Sequence, residues 1–438
     1  MAKVISFEQV NQSAAAIDIG AEKVFVSTDG TSVQTYGTFT GDYRKLAEDL
    51  LAAKIESVCM EATGVYWISL YQMLEEAGLD VCLVNPKEVK QVKGRKSDPN
   101  DCRWIQRVFS AGLVRQSYVP KGKLRELRML VREREDIIEM GSCYVNKMGK
   151  QLELMNIKLK STLSQLHGVS GLKMIEAIIA GERNPAVLLS LCSPSIIKSK
   201  SEDVLKALEG NYNDTYIFML NANLQMWKRH QEQLMIIDEK LEEVLATLEE
   251  GKDQVQAVVP AKPIRHHRPQ IKNFHQKMLN IYGVDGNTIS GISNYTLLKL
   301  LGEVGADMSR FPTVKHFVSW CQLAPVSAKS GKMNRRMRIR AGSRAGQIFR
   351  EVAQGLLNSK YIAIGSFMRR LRAKKDSKIA VKAGARKLAQ AFYNLLTKGS
   401  AYVEQGVEKY EQQIRQREQA FLTKLAKKHG MQLAPLKT

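Results

Sequence analysis

The sequence has few cysteines and no long hydrophobic run. No window reaches the roughly 18 consecutive apolar residues of a transmembrane helix, and the start MAKVISFEQVNQSAAAIDIG lacks the apolar run of a signal peptide. The six cysteines are scattered, with no Cys-x-x-Cys pair or Cys/His cluster, which argues against a zinc site or a disulfide framework. No P-loop is present. We expect a soluble, reduced, intracellular protein.

Acidic residues are scarce relative to basic ones. The 438 residues include 66 Lys and Arg but only 44 Asp and Glu, which gives a net charge of +22 with neutral His. Such a surplus is self-repelling unless a polyanion balances it, so the expected partner is DNA or RNA, with no membrane. The hydrophobic fraction of 44% is typical of folded chains, and the length suggests two to four domains.

The amino-terminal region shows a regular alternation of short strand and helix patterns. Residues 14–20, 23–28 and 33–40 read as a three-stranded meander that contains turn residues. Helical and strand patterns then alternate, in the order βββ-α-β-α-β-α. This order predicts a mixed sheet covered by helices. The later elements are expected at residues 43–53 (helix), 56–60 (strand), 65–78 (helix) and 80–85 (strand).

The rest of the chain is predominantly helical in pattern. Apolar residues recur every three to four positions over 124–155 and again over 215–250, which predicts two long amphipathic helices. These helices could pair with each other or with another subunit. The fold class is therefore α/β plus all-α. The expected domains are 1–120 (mixed sheet), 121–255 (helical, partly coiled coil), 256–400 (helical, with a basic segment) and 401–438 (terminal helix and tail).

Four carboxylates are candidates for a metal site. Asp18 and Glu61 end predicted strands, while Asp98 and Asp101 stand at i and i+3, which places them on one helix face. Four converging carboxylates need a divalent cation, and hard oxygen ligands select Mg²⁺ or Mn²⁺. The upstream Lys93, Arg95 and Lys96 are expected to bind a phosphate backbone. The alternative is that each carboxylate is an ordinary cap or turn residue.

These segments resemble a known protein family. AAIDIGAEKVFVS, CMEATGVYW and LEEAGLDVCLVNPKEVKQVKGRKSDPNDCRWI are similar to DEDD transposases of bacterial insertion sequences, the insertion-sequence one-ten family with its eleven-eleven branch. The resemblance implies a RuvC-like domain of RNase H fold. It also implies that Asp18, Glu61, Asp98 and Asp101 form the D-E-D-D metal site. Cys102 and Ser97 depart from the usual alanine and threonine.

A second candidate site is a serine in a basic segment. Between residues 329 and 350 the sequence has no acidic residue, and Ser330 precedes a glycine, so its hydroxyl could lie on a turn. A serine can attack a phosphodiester if cations stabilise the transition state. The alternative is a DNA-binding loop with an incidental serine. The basic residues assigned to nucleic-acid binding are Lys329, Lys332, Arg335, Arg336, Arg338, Arg340 and Arg344.

Here too the sequence is similar to the same family. The segment ISGISNYTLLKLLGEVGADMSRFPTVKHFVSWCQLAPVSAKSGK resembles the family's carboxy-terminal transposase domain, whose serine lies about five residues after a proline. From Pro325 this spacing indicates Ser330 as the nucleophile, with Ser327 as the less favoured alternative. One small residue is missing between serine and glycine.

The resemblance also implies an activity and its partners. It implies strand exchange on double-stranded DNA through a serine–DNA covalent intermediate, guided by a structured RNA encoded by the element. It further implies a composite centre across the subunits of a homodimer or homotetramer, and a cytoplasmic, nucleoid-associated location in bacteria. Two alternatives stay open: a metal-dependent endonuclease similar to a Holliday-junction resolvase, and a non-catalytic nucleic-acid-binding protein.

Overall fold

The computed structural model forms two compact units, Met1–Pro120 and Lys121–Thr438. The residues that the structure describes are 10–62, 64–85, 101–325, 328–330, 333–335, 342–360, 362–399 and 407–431. Within these ranges, no helix combines the length and the apolar character needed to cross a membrane.

The first unit is built on a five-stranded mixed sheet. The strand order is β3-β2-β1-β4-β5, with β1 paired antiparallel to β2 and parallel to β4. The predicted order of strands and helices is therefore confirmed, and the arrangement is consistent with an RNase H-like domain. The strands are β1 (Ala14–Ile19), β2 (Val24–Ser27), β3 (Gln34–Tyr36), β4 (Ser57–Glu61) and β5 (Asp80–Val84).

Helices cover both faces of this sheet. The helices are α1 (Thr40–Ala52), α2 (Trp67–Glu76) and α3 (Asp101–Ser110). Alternate residues of a strand point to opposite faces, so β1 sends Ile17 toward the core formed with α1 and α2. Its neighbour Ala16 faces the other core, where Ile105 of α3 packs. Because both faces are buried, β1 and β4 read as nearly continuous apolar runs.

The second unit is organised by two long helices, α4 (Lys123–Leu154) and α9 (Asp214–Glu249). The start of α4 packs with the end of α9 in one core, through Leu127 and Leu241. The end of α4 packs with the start of α9 in another core, through Leu152 and Leu220. The two helices therefore run antiparallel and pair with each other within one chain. Their predicted existence is confirmed, with ends shifted by about one residue.

Each end of this helix pair carries a smaller helical region. At one end lie α5 (Leu159–Thr162), α6 (Val169–Ile179), α7 (Pro185–Ser190) and α8 (Pro194–Ala207). At the other lie α10 (Phe274–Tyr282), α11 (Asn294–Val304), α12 (Val314–Trp320), α13 (Arg344–Leu356), α14 (Ala363–Lys374) and α15 (Ser377–Lys398). A further helix, α16, spans Val407–Lys428.

A short β-hairpin interrupts the otherwise helical carboxy-terminal region. Strands β6 (Ala328–Ser330) and β7 (Met333–Arg335) pair antiparallel. The sequence indicated only a basic segment here, because charged residues obscure the alternation that marks a strand. Helix α8 was not predicted as a separate element either.

Candidate functional site

Asp18 and Glu61 lie at the same edge and on the same face of the sheet. In the parallel pair, Ile17 of β1 lies opposite Met60 of β4, so the next residues, Asp18 and Glu61, are level with each other. Both follow, by two positions, residues that face α3, namely Ala16 and Cys59. Both are half-buried and make polar or electrostatic contacts. This register is consistent with the prediction that the two carboxylates converge on one side of the sheet.

Helix α3 begins beside this pair of carboxylates. From the middle of this helix, the Gln106 side chain donates through Nε2 to the carbonyl of Ala14, at the start of β1, at 3.2 Å. The Ser110 carbonyl accepts from the backbone N–H groups of Val10 and Asn11, just before β1. Helix α3 therefore runs antiparallel to β1, and its first turn lies at the strand end that carries Asp18.

Electrostatic effects on two buried thiols support this placement. Burial raises the pKa of Cys102, and the negative charge of Asp18 raises it further. The pKa of Cys59 is raised by its hydrogen bond with Cys82, by burial and, to a smaller extent, by Glu61. A carboxylate affects a thiol in this way only when it is close. Asp18 is thus near the first turn of α3, and Glu61 is near Cys59.

Other residues predicted for this site are not among the described ones. Lys93, Arg95, Lys96 and Asp98 lie outside the described residues, as does the side chain of Asp101. The backbone of Asp101 is the first residue of α3. Among the residues that the structure describes, no three His, Cys, Asp or Glu side chains form a metal-binding group.

The donors that are described fit a hard divalent cation. Asp18 and Glu61 supply carboxylate oxygens on adjacent strand ends, and Mg²⁺ or Mn²⁺ prefers such ligands. Cys102 lies close to Asp18, but the pKa of its thiol is raised, which keeps it protonated and makes it a poor ligand. Asp101, at the start of α3, would supply a third carboxylate from a second element.

The second candidate site lies on the β6–β7 hairpin. Ser330 is the last residue of β6 and pairs with Met333, so only two residues connect the strands. The Ser330 backbone is thus at the end of β6, directly before these two residues. The side chains of Lys329, Ser330 and Arg335 lie outside the described part, and so do the whole residues Ser327, Lys332, Arg336, Arg338 and Arg340.

The basic segment continues into helix α13. Ser343 caps the helix by accepting a hydrogen bond from the N–H of Gly346 at 3.0 Å. Arg344 is exposed in the first turn, which leaves its guanidinium available to an anion. Arg350, two turns after the cap, donates to the Gln347 side chain at 2.8 and 3.1 Å. The helix therefore presents two cations next to the residues that follow Ser330.

Sequence reasoning did not identify Gln106 as part of the first site. This side chain is 2% exposed and also donates to the carbonyl of Thr28 at 3.2 Å and to Ser110 Oγ at 2.9 Å. Its signal was a polar residue on the apolar face of α3, next to Ile105. A buried glutamine that satisfies strand carbonyls is a positioning residue, because it fixes α3 relative to β1.

Two family models match parts of the chain. Residues 15–157 match the model named for the DEDD transposase of IS110 and described as a transposase. Residues 287–359 match a model described as a transposase of the IS116/IS110/IS902 family. The first range includes Asp18, Glu61, Asp98 and Asp101, and the second includes Ser330. No curated protein matches the chain at a significant level.

Proposed function

Because this chain is a DNA transposase and recombinase that carries two IS110-family transposase domains, we propose that it cuts and rejoins DNA through a serine–DNA intermediate. The nucleophile is Ser330, and Asp18, Glu61, Asp98 and Asp101 hold a divalent metal. An RNA encoded by the element guides the reaction, and the active form is a homodimer or homotetramer. The observation that carries the metal site is the level placement of Asp18 and Glu61 beside the first turn of α3.

In this mechanism, covalent chemistry conserves the phosphodiester bond energy. The Ser330 hydroxyl loses its proton as its oxygen bonds to phosphorus, and the bond from phosphorus to one deoxyribose oxygen breaks. That oxygen leaves as a DNA hydroxyl after taking up a proton. Attack by a DNA hydroxyl from the other strand reverses these steps and restores the serine. Bound at the carboxylates, the metal supplies charge stabilisation for the phosphate. No nucleotide hydrolysis is required.

The basic residues would bind and orient the DNA. Lys329, Lys332, Arg335, Arg336, Arg338 and Arg340 surround Ser330 in sequence, and the exposed Arg344 begins the helix that follows. Arginine forms bidentate contacts with phosphate, which suits it to stabilising charge on a reacting phosphodiester. Lys93, Arg95 and Lys96 would do the same next to Asp98 and Asp101.

The decisive experiment is a search for covalent protein–DNA adducts. Wild type, Ser330→Ala, Ser327→Ala, Asp18→Asn and Glu61→Gln would be incubated with Mg²⁺, co-purified RNA and element-junction DNA, then resolved under denaturing conditions. We expect an adduct with wild type and Ser327→Ala, and none with the other three. Omitting RNA tests the guide, and light scattering of the complex tests the oligomer.

The same experiment separates the two enzymatic mechanisms. A metal-dependent nuclease that uses water would cleave without an adduct in any lane and would tolerate Ser330→Ala. That result would overturn the serine assignment while leaving the carboxylate site intact. The third alternative, a non-catalytic nucleic-acid-binding protein, is contradicted by the two transposase domains.

A further inference from the structure

Helix α15 carries a row of cations that lies outside both family matches. Lys378, Lys382 and Arg386 follow each other at intervals of four residues, which places them on one helix face about 6 Å apart. Lys378 is exposed, whereas Lys382 and Arg386 are half-buried. These three cations therefore share a single row.

This row lies next to the basic segment that follows Ser330. Arg350 of α13 is close enough to Lys382 for the two charges to affect each other. The Arg350 guanidinium also covers the backbone of Gly342, because a Cβ added at Gly342 would clash with it. Cations from α13 and α15 thus meet where the segment beginning at Lys329 ends. Helix packing brings them together, since α13 and α15 share the core of Phe349 and Phe392.

No acidic group balances these four cations in the part of the chain that the structure describes. Arg350 is hydrogen-bonded to the neutral Gln347. The carboxylate of Glu351, next in sequence, instead pairs with Lys299 at 2.9 Å. The Nε of Arg386 is buried and has no hydrogen-bond partner among the described atoms.

Such a cluster is unfavourable in the absence of an anion. Like charges four residues apart on a helix repel each other, and burial adds a desolvation cost for each charged group. The pKa of Lys382 is lowered by burial and, second, by the charge of Arg350. Other lysines of this unit in similarly packed positions have carboxylate partners, as Lys277 has Glu249 and Lys299 has Glu135. An external polyanion would supply the missing counter-charge.

We propose that Lys378, Lys382, Arg386 and Arg350 form a binding surface for the DNA backbone on α13 and α15, next to Gly342, which follows the segment that carries Ser330 in sequence. The choice of DNA rests on the proposed function, because that segment is proposed to attack a DNA phosphate. Such cations bind the regularly spaced phosphates of the DNA backbone and not the base edges. The surface would therefore position the DNA without distinguishing its sequence. It extends the DNA-binding surface beyond the residues matched by the transposase models, which end at residue 359.

The test measures binding of the full chain to duplex DNA of unrelated sequence in EDTA. The row variant combines Lys378→Gln, Lys382→Gln and Arg386→Gln. The control variant combines Lys228→Gln, Arg229→Gln and Lys240→Gln, three cations of α9 that pair with Glu176, Glu232 and Glu243. Both variants remove three positive charges. A charge-preserving variant combines Lys378→Arg, Lys382→Arg and Arg386→Lys.

The slope of the logarithm of the DNA association constant against the logarithm of the salt concentration is negative. We expect the row variant to make this slope shallower by roughly 0.9 for each phosphate that the protein no longer neutralises. The control should change the slope by less than the amount for one phosphate, and the charge-preserving variant should retain affinity and slope. Equal reductions in the row and control variants would overturn the proposal, as would a reduction confined to a single-stranded RNA probe. DNA binding is measured in EDTA and therefore does not depend on the metal site or on covalent chemistry. A negative result in this binding experiment would leave the proposed serine mechanism standing, and a negative result in the adduct experiment would leave the binding surface standing.

Discussion

A buried ion pair joins α4 to α9, and the loss of one partner gives a quantitative prediction. The guanidinium of Arg134 donates from Nε to Asp238 Oδ1 at 2.6 Å and from Nη2 to Oδ2 at 3.3 Å. The two side chains are 1% and 2% exposed. Arg134 also lies over the Tyr295 ring, 4.9 Å from its centroid. Burial alone would lower the pKa of Arg134, but Asp238 and Tyr295 raise it, so the charge is retained.

The same pair holds the segment between α9 and α10. Arg134 Nη2 donates to the carbonyl of His267 at 3.0 Å, and Asp238 Oδ2 accepts from the N–H of Gln270 at 2.9 Å. The segment between α9 and α10 is thus fixed to the helix pair at two points. Asp238→Asn would leave a buried cation without its counter-charge, at a cost of about 3–5 kcal/mol. Each 1.36 kcal/mol changes an equilibrium constant about tenfold. Local opening of the segment between α9 and α10 should therefore become at least about a hundredfold more frequent.

Hydrogen exchange of the full chain provides the measurement, because the amide of Gln270 bonds directly to Asp238. Its exchange should accelerate by about that factor in Asp238→Asn. Glu232→Gln is the matched control, since its partner Arg229 is 71% exposed and such pairs contribute only about 0–1 kcal/mol. Replacing both partners, with Arg134→Met and Asp238→Leu, should recover most of the protection of α4 and α9. Equal exchange in Asp238→Asn and Glu232→Gln would refute the reasoning.

Two further predictions concern a positioning residue and pH. Gln106→Leu removes the hydrogen bonds that the two Nε2 hydrogens share among Ala14, Thr28 and Ser110, each bond worth about 1 kcal/mol. This variant should raise the Mg²⁺ concentration required for half-maximal adduct. Gln116→Leu, which removes a hydrogen bond to Val81, should leave that concentration unchanged, and equal shifts in both variants would contradict the role of Gln106. The pKa of His267, an exposed residue whose ring is partly desolvated, is lowered by that desolvation and by the charge of Arg134. The folded protein therefore favours the neutral ring, and this stabilisation, present above about pH 6.5, is lost as pH falls below that value. Asparagine tolerates the left-handed backbone at position 267. Between about pH 7.5 and 5.5, the melting temperature of His267→Asn should therefore fall less than that of the wild type. An identical fall in the two proteins would contradict the assignment to His267.

Much of the local structure could be predicted from the sequence. The strands around Asp18 and Glu61 and the long helices α4 and α9 follow from hydrophobic periodicity, which is a property of neighbouring residues. The candidate carboxylates also came from local signals, because strand ends and an i, i+3 spacing are visible in the chain. The expected roles of these residues and of Ser330 came from the resemblance to a family and remain proposals.

Tertiary structure decided the rest, because periodicity identifies which face of an element is buried but not its partner. The sequence could not show whether α4 pairs with α9 or with another subunit, and the two cores containing Leu127 and Leu152 resolve this for the single chain. The register that makes Asp18 level with Glu61 depends on pairing between residues more than 40 positions apart in sequence. The meeting of Arg350 with Lys382 depends likewise on how α13 packs against α15. Such contacts arise from shape and burial across the folded chain, where local sequence carries little information.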